Sequence, residues 1–302
     1  MRKHWIDNLR WVTVLLVLLY HVFYFYNNKG VVGGVGGFGD GPQYQDIVMY
    51  ILYPWFMPLL FILAGMSARY ALEKCTGKEW FRSRTRKLLV PSTIGLFFFG
   101  VFIGWFNSMT SPAAYVLAEL PGPVKYFIWV VSGMGPLWFI QDLWLLSLVL
   151  LLVRKIDGKG RFMGLCGKTG ISGVILMGVL FWLGHRTLIM EPDPASAAGL
   201  WNLYKPFFYL LPFLMGYFVF SHDAVQEKVG RAWKPLMACA AVCGVILIAT
   251  GFGQDNTSPQ YLCSPLNNIY GWLMCLAMMG WFKACFDRTG RFAGYMTRSS
   301  YG

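Results

Sequence analysis

The chain has 302 residues, of which 56 % are apolar and only 13 % are charged, and its mean hydropathy is +0.49. An ordinary soluble domain carries about 25 % charged residues, so the composition excludes that class. We expect a single domain over residues 1–302, built as an all-α, polytopic transmembrane helix bundle.

Eight apolar segments are candidates for membrane spans, each of which needs about 20 residues. The first segment is followed by a Gly-rich loop and not by a small-residue cleavage site, so it predicts a retained anchor instead of a signal peptide. In chain order the predicted spans are residues 11–26, 47–68, 88–106, 137–153, 171–183, 206–220, 235–252 and 269–282.

Basic residues alternate between the connections that join these spans. Of the 26 Lys and Arg residues, all lie at the N-terminus or in every second connection except Lys29, Lys125, Arg186 and Lys205. The positive-inside rule then predicts a cytoplasmic N-terminus in a multi-pass protein of the cell membrane. Since topology explains the net charge of +12, we expect contact with the lipid bilayer and no nucleic-acid partner.

Two of the polar residues at membrane depth define a stripe in the first span, "RWVTVLLVLLYH". Arg10 and His21 are eleven positions apart, which places them within about 20° on one helix face and roughly 16 Å apart along the axis. Polar groups at such depth are costly and are functional candidates.

Asp142 lies at a depth similar to that of His21, about five residues from the outer end of the fourth span. A carboxylate beside an imidazole suits a general base that acts on a hydroxyl, so we predict catalytic roles for His21 and Asp142. In the alternative, His21 bonds a neighbouring helix and Asp142 faces a water-filled vestibule.

A basic cluster is predicted at the cytoplasmic ends of the first three helices. Clustered Arg and Lys side chains suit phosphate groups, because guanidinium offers paired donors and lysine adds a point charge. The alternative is ordinary positive-inside charge that attracts anionic lipids. The candidates are Arg10, Arg69, Arg84, Arg86 and Lys87, with Asp7 as the partner that orients Arg10.

Neither the cysteine spacing nor a Gly-rich segment indicates a cofactor site. The seven cysteines show no C-x-x-C spacing, so we expect neither a metal site nor a disulfide framework. The segment "GVGGFG" fits G-x-G-x-x-G, but it follows a membrane helix and not a strand, which favours a flexible outer loop over a nucleotide site. We therefore expect no tightly bound cofactor.

Four segments carry a family resemblance, and they occur in family order: "WIDNLRWVTVLLVLLYH", "MPLLFILAGMSARYAL", "FRSRTRKLLVP" and "GPLWFIQDLWLL". Together they resemble the acyltransferase-3 family of integral membrane acyltransferases, and the resemblance covers the whole chain. The segments "HRTLIMEPDP" and "KPFFYLLPFLMGYF" are similar to the branch that transfers succinyl groups to periplasmic glucans.

The resemblance implies an O-acyltransferase that takes an acetyl- or succinyl-type group from acyl-CoA on the cytoplasmic side. The acceptor would be a hydroxyl of an extracytoplasmic carbohydrate or a similar molecule. Arg10, Arg84 and Lys87 match the positions that would hold the coenzyme phosphates, and His21 would serve as general base or acyl relay.

The sequence departs from the family at two places. Lys87 stands where the family has the second arginine of R-x-x-R, and the neighbouring Arg86 is a candidate substitute. The chain ends at "RSSYG", where the family continues towards a total of about ten spans. We therefore expect one or two C-terminal helices to be missing.

The outer end of the fifth span is the expected acceptor site. His185 and Arg186 offer hydrogen bonds and charge, and Trp182 offers a flat apolar face for a sugar ring. Glu191, Asp193, Trp201 and Lys205 follow in the next connection. The alternative for the aromatic residues is a role as anchors at the membrane boundary.

Functions of other classes remain open on sequence grounds. A transporter would use Arg10, His21 and Asp142 as a proton or substrate path, with prolines breaking the second and third spans. No inverted repeat supports that interpretation. A regulatory or scaffolding remnant is the non-enzymatic alternative.

Overall fold

The computed structural model describes residues 3–27, 41–110, 119–135, 137–158, 160–188, 205–256 and 258–299. Within these ranges every regular element is a helix, which confirms the predicted all-α bundle. The α-helices are α1 His4–Phe25, α2 Ile47–Leu52, α3 Phe56–Leu72, α4 Gly77–Arg84, α5 Val90–Gly95, α6 Val101–Thr110, α7 Gly122–Ser132, α8 Leu137–Ile156, α9 Arg161–Cys166, α10 Ile171–Leu188, α11 Pro206–Met215, α12 Asp223–Arg231, α13 Trp233–Gly251, α14 Pro259–Leu262, α15 Pro265–Cys285 and α16 Arg291–Ser299.

Three π-helical segments join some of these helices. Thr85–Leu89 and Leu96–Gly100 connect α4, α5 and α6 into one continuous helical segment, and Gly216–Phe220 continues α11. π-Helical turns are rare in proteins, but those that do occur often lie at functional sites. The first of them contains two of the predicted phosphate-binding residues, Arg86 and Lys87.

Six helical segments in the described ranges are long and apolar enough to cross a membrane. They correspond to six of the eight predicted spans. They are His4–Phe25, Tyr44–Leu72, Gly77–Phe106, Leu137–Ile156, Ile171–Leu188 and Trp233–Gly251.

The two other predicted spans differ from expectation. The segment Pro206–Phe220 meets α12 at 99°, so it counts as a seventh span only if the bent pair crosses as one unit. The predicted span 269–282 lies in the 21-residue helix α15, whose first turns carry the buried polar residues Asn267 and Asn268. These amides lower the hydropathy of α15, and the described residues contain six to seven candidate spans instead of eight.

Helix α3 lies at the centre of the bundle. In the span that contains it, 78 % of the most apolar window is buried inside the protein, against 22 to 28 % in the other five spans. Its side chains therefore contact other helices, whereas most side chains of the other spans are left to face lipid.

Two glycines allow the backbone of α3 to contact the backbone of α11 and of the π-helical segment that continues it. A Cβ atom on Gly65 would lie 2.0 Å from the Phe213 carbonyl oxygen, and one on Gly216 would lie 2.1 Å from the Ile62 carbonyl oxygen. Small residues at such crossings are typical of membrane helices, because association there depends on close packing. The two glycines lie on opposite partners of the same crossing, so both backbones depend on the missing Cβ atoms.

The basic segments predicted for one side of the membrane gather at one end of the bundle, called the basic end below. Lys3 forms an ion pair with Asp223 at the start of α12 and a 2.8 Å hydrogen bond with Gln226. Burial lowers the pKa of Lys3, but the hydrogen bonds and charges of Asp223 and Tyr70 together outweigh burial, and the pKa is raised. Lys228 donates to the Thr169 carbonyl at 3.0 Å.

The opposite end is held by hydrogen bonds among residues of the other connections. The Tyr50 hydroxyl donates to the Gln254 carbonyl at 2.5 Å, and Trp182 donates to the Cys263 carbonyl at 3.0 Å. The two sets of connections therefore occupy two separate ends, as the alternation of basic segments predicts.

The α3–α11 contact predicts an unusual cost for adding one methyl group. We expect Gly65→Ala to destabilise the protein by about 1–3 kcal/mol, because the Cβ atom overlaps a backbone oxygen that has no alternative position. The matched control is Gly164→Ala in α9, where a Cβ atom meets nothing within 4 Å. That change should be neutral or stabilise by about 0.5–1 kcal/mol. Thermal unfolding of both variants in detergent tests this, and equal midpoints would refute it.

Candidate functional site

Arg10 is held at the basic end by a side chain of the central helix. Its Nη2 atom donates a 2.6 Å hydrogen bond to Ser67 Oγ, and its Nη1 atom lies 3.9 Å from Asp7 Oδ1. The Ser67 hydroxyl donates in turn to the Leu63 carbonyl, so its lone pair faces Arg10. The Arg10 side chain is 15 % exposed, and the predicted pairing of Asp7 with Arg10 is present.

Arg84 lies close to Arg10, although the two residues come from different helices. The Arg84 guanidinium carbon lies 5.1 Å from the centre of the buried Trp80 ring, and its charge and that of Arg10 repel each other. In the described part of the chain Arg84 forms no salt bridge within 4.0 Å. An anionic group beside both guanidiniums would remove this repulsion.

The other basic candidates are placed differently. Arg69 forms a 3.2 Å ion pair with Glu73 on its own helix, so part of its charge is already compensated. Arg86 and Lys87 are exposed on the π-helical segment that follows Arg84. That segment is anchored by Trp144, whose indole donates to Thr85 Oγ1 at 3.0 Å.

His21 is oriented by its own helix and not by Asp142. Its Nδ1 atom lies 2.7 Å from the Val17 carbonyl oxygen, four residues earlier. A carbonyl oxygen only accepts hydrogen bonds, so Nδ1 carries the hydrogen and the lone pair of the neutral ring lies on Nε2. Among the described residues His21 forms no ion pair with Asp142.

A row of aromatic side chains lies between His21 and Asp142. The Tyr20 ring lies 5.4 Å from His21 and stacks on Tyr53 at 5.6 Å. Tyr209 interacts electrostatically with both Tyr53 and Asp142, and its ring lies 5.5 Å from Trp138. We call Tyr20, Tyr53, Trp138 and Tyr209 the aromatic row.

The aromatic row contains polar atoms that lack partners. Tyr20 Oη and Asp142 Oδ2 are both buried, and neither forms a hydrogen bond in the described part of the chain. Leaving such a group unpaired costs about 1–3 kcal/mol. A ligand hydroxyl is one group that would satisfy them.

At the opposite end, His185 is a packed core residue. It is 6 % exposed, and its ring lies 3.7 Å from the ring of Phe208. Its Nδ1 atom donates to Asn268 Oδ1, because the Asn268 amide nitrogen already donates to the Leu262 and Ser264 carbonyls. The expectation that His185 faces the acceptor therefore conflicts with its burial.

The other two predicted acceptor residues are more accessible. Arg186 is exposed, whereas Trp182 is half-buried with its indole nitrogen bound to the Cys263 carbonyl. Burial raises the pKa of the Cys263 thiol, and the charges of Arg186 and Lys205 oppose this effect. Both cations therefore lie near Cys263. Glu191, Asp193 and Trp201 lie outside the described residues.

A family model described as an acyltransferase domain matches residues 3–302. The chain belongs to the acyltransferase-3 family. It is therefore a membrane acyltransferase that transfers a group other than an aminoacyl group. No curated protein and no solved structure matches the chain.

The aromatic row is the part of this acyltransferase that sequence reasoning missed. Its four members come from α1, α8, α11 and the turn between α2 and α3, so no local pattern joins them. One signal was available, since tyrosine hydroxyls in apolar spans need partners as histidine and aspartate do.

The Asn268 contacts predict a difference between two neighbouring buried asparagines. Asn268→Ala should leave His185 Nδ1 without its acceptor, at about 1–3 kcal/mol, and it also removes the amide donor from the Leu262 and Ser264 carbonyls. Asn267→Ala is the matched control, because Asn267 Nδ2 forms only a 3.4 Å bond and its Oδ1 has no hydrogen-bond partner in the described residues. Thermal unfolding should show the larger loss for Asn268→Ala. The reverse order would contradict the assigned role.

Proposed function

We propose that this acyltransferase takes an acetyl- or succinyl-type group from acyl-CoA at the basic end and transfers it to a carbohydrate hydroxyl on the other side of the membrane. One observation carries the proposal: the charges of Arg10 and Arg84 lie close enough to repel each other, and Arg10 shares its face of α1 with His21. The site would join an anion-binding region to a general base along one helix.

The repulsion between the two guanidiniums supports a polyanionic donor. Asp7 is the carboxylate that pairs with Arg10, at 3.9 Å. Guanidinium groups bind phosphates through paired donors, and the exposed Arg86 and Lys87 add charge nearby. The positive-inside rule assigns this end to the cytoplasm, where acyl-CoA is found. The extended pantetheine arm of the coenzyme would carry the thioester along α1 towards His21.

The chemistry needs one base, which His21 supplies. The acceptor hydroxyl oxygen attacks the thioester carbonyl carbon while Nε2 of His21 takes the hydroxyl proton. The carbon–sulfur bond then breaks, and the departing thiolate receives that proton from the imidazolium. The Val17 carbonyl accepts from Nδ1 throughout, so the ring keeps its orientation.

The aromatic row supports a carbohydrate acceptor. The half-buried rings of Tyr53 and Trp138 offer aromatic faces to the apolar faces of a sugar ring, and the half-buried Asp142 offers its carboxyl oxygens to a sugar hydroxyl. Asp142 would then bind the acceptor instead of orienting His21. Arg186 at the outer end would attract an anionic acceptor or acyl product.

Donor binding is the first test. Arg84→Ala should weaken acetyl-CoA or succinyl-CoA binding by about 10- to 100-fold, because a charged hydrogen-bond partner is worth about 1.5–3 kcal/mol. Arg154→Ala, a basic-end arginine on α8, should leave affinity within about twofold. Calorimetric titration of protein in nanodiscs measures both. Absence of binding to the unmodified protein would rule out an acyl-CoA donor.

Transfer is the second test, and it separates chemistry from binding. His21→Ala and His21→Gln should reduce acyl esters on envelope glycans by about 100-fold or more, since neither side chain can act as base. Donor affinity should change little. His4→Ala on the same helix is the matched control. Mass spectrometry of glycans from expressing cells gives the result, and esters that persist in both His21 variants would remove His21 from the mechanism.

A further inference from the structure

A deep apolar groove lies between α1, α15 and α16 at the basic end. Its volume is about 610 Å³. Its walls are almost entirely apolar and aromatic side chains, and Arg288 is the charged residue among them. The lining residues are Asn8, Trp11, Val12, Leu16, Met278, Trp281, Phe282, Cys285, Phe286, Arg288 and Ala293.

The groove is separate from the proposed donor site. At about 100° per residue, the α1 residues that line the groove project from the side of the helix opposite to Arg10 and His21. Arg10 instead contacts Ser67 of α3. A ligand in the groove would therefore not occupy the donor site, and its binding does not depend on the proposed function.

Hydrogen bonds fix the backbone at Arg288, which lines the groove. The Asn8 amide donates to the Phe286 carbonyl at 2.8 Å and to the Arg288 carbonyl at 2.9 Å. The neighbouring acid, Asp287, accepts from the Trp5 backbone and lies 3.7 Å from Lys283. Asp287 is thus engaged elsewhere, and Arg288 forms no salt bridge in the described part of the chain.

Helix α16 extends this cationic surface along the membrane boundary. Arg291 and Arg298 are seven residues apart and share one helix face, while Phe292 packs edge-on against Trp11 with ring centres 5.8 Å apart. A basic amphipathic helix with exposed aromatic residues is typical of a helix that lies in the interface. Such a position of α16 would place the groove at headgroup depth.

We propose that the groove binds an anionic glycerophospholipid, with one acyl chain between α1 and α15 and the phosphate at Arg288. The acyl chain of the lipid cannot provide selectivity, because it moves from the apolar bilayer into an equally apolar groove. Selectivity must come from the headgroup charge. Each basic residue near the surface favours an anionic headgroup by about fivefold in affinity.

Photo-crosslinking tests the proposal on the full chain. Vesicles of phosphatidylcholine contain a small fraction of either phosphatidylglycerol or phosphatidylcholine with a diazirine in the tail, and crosslinked peptides are mapped by mass spectrometry. We expect the phosphatidylglycerol probe to label groove residues of α1 and α15 at about five times the yield of the phosphatidylcholine probe.

Two variants and a control distinguish binding of the lipid headgroup from binding of the lipid acyl chain. Arg288→Ala should remove the preference for phosphatidylglycerol, and Ala293→Trp, which fills the groove, should lower the yield of both probes. Arg161→Ala in α9 removes an exposed arginine of the same end and should change neither yield. Thermal unfolding confirms that each variant is folded.

Three results would overturn the proposal. Equal yields of the two probes in the unmodified protein would show no selectivity for charge. An equal loss of preference in Arg161→Ala and Arg288→Ala would indicate general surface attraction. Absence of groove labelling, together with a dimer in native mass spectrometry that Ala293→Trp abolishes, would assign the groove to a second copy of the chain.

Discussion

The backbone contact between α3 and α11 is the constraint on which the site depends. Because Gly65 and Gly216 lack Cβ atoms, the two helices meet at a distance that no other residue allows. Helix α3 then presents Ser67 to Arg10 at one end and Phe61 to Tyr209 near the membrane centre, with ring centres 4.5 Å apart. One buried helix thereby contacts both Arg10 and the Tyr209 end of the aromatic row.

The orientation of His21 changes how the chemistry is understood. A backbone carbonyl gives the imidazole its tautomer, so the role of base that we propose for His21 requires no second titratable group beside it. Asp142 lies at the other end of the aromatic row, where its buried oxygen forms no hydrogen bond to any residue that the structure describes. His21 and Asp142, which lie at a similar depth, would then act on different parts of the acceptor and not as a catalytic pair.

Helix α1 has two distinct sides. One side carries Arg10 and His21, and the other lines the apolar groove beside Arg288. Different forces act on the two sides of α1: an ion pair and a hydrogen bond hold Arg10, and apolar packing dominates at the groove. The Asn8 amide connects α1 to the end of α15 through its hydrogen bonds to the Phe286 and Arg288 carbonyls.

The sequence alone determined the membrane class, six of the spans, the basic end and the shared face of Arg10 and His21. These properties follow from hydropathy and helical period, which are local. Tertiary structure decided the bend after Phe220, the burial of His185 against Asn268 and the convergence of Arg84 on Arg10. Each of these joins residues distant along the chain, and a periodic pattern in one helix holds no information about which neighbour it meets.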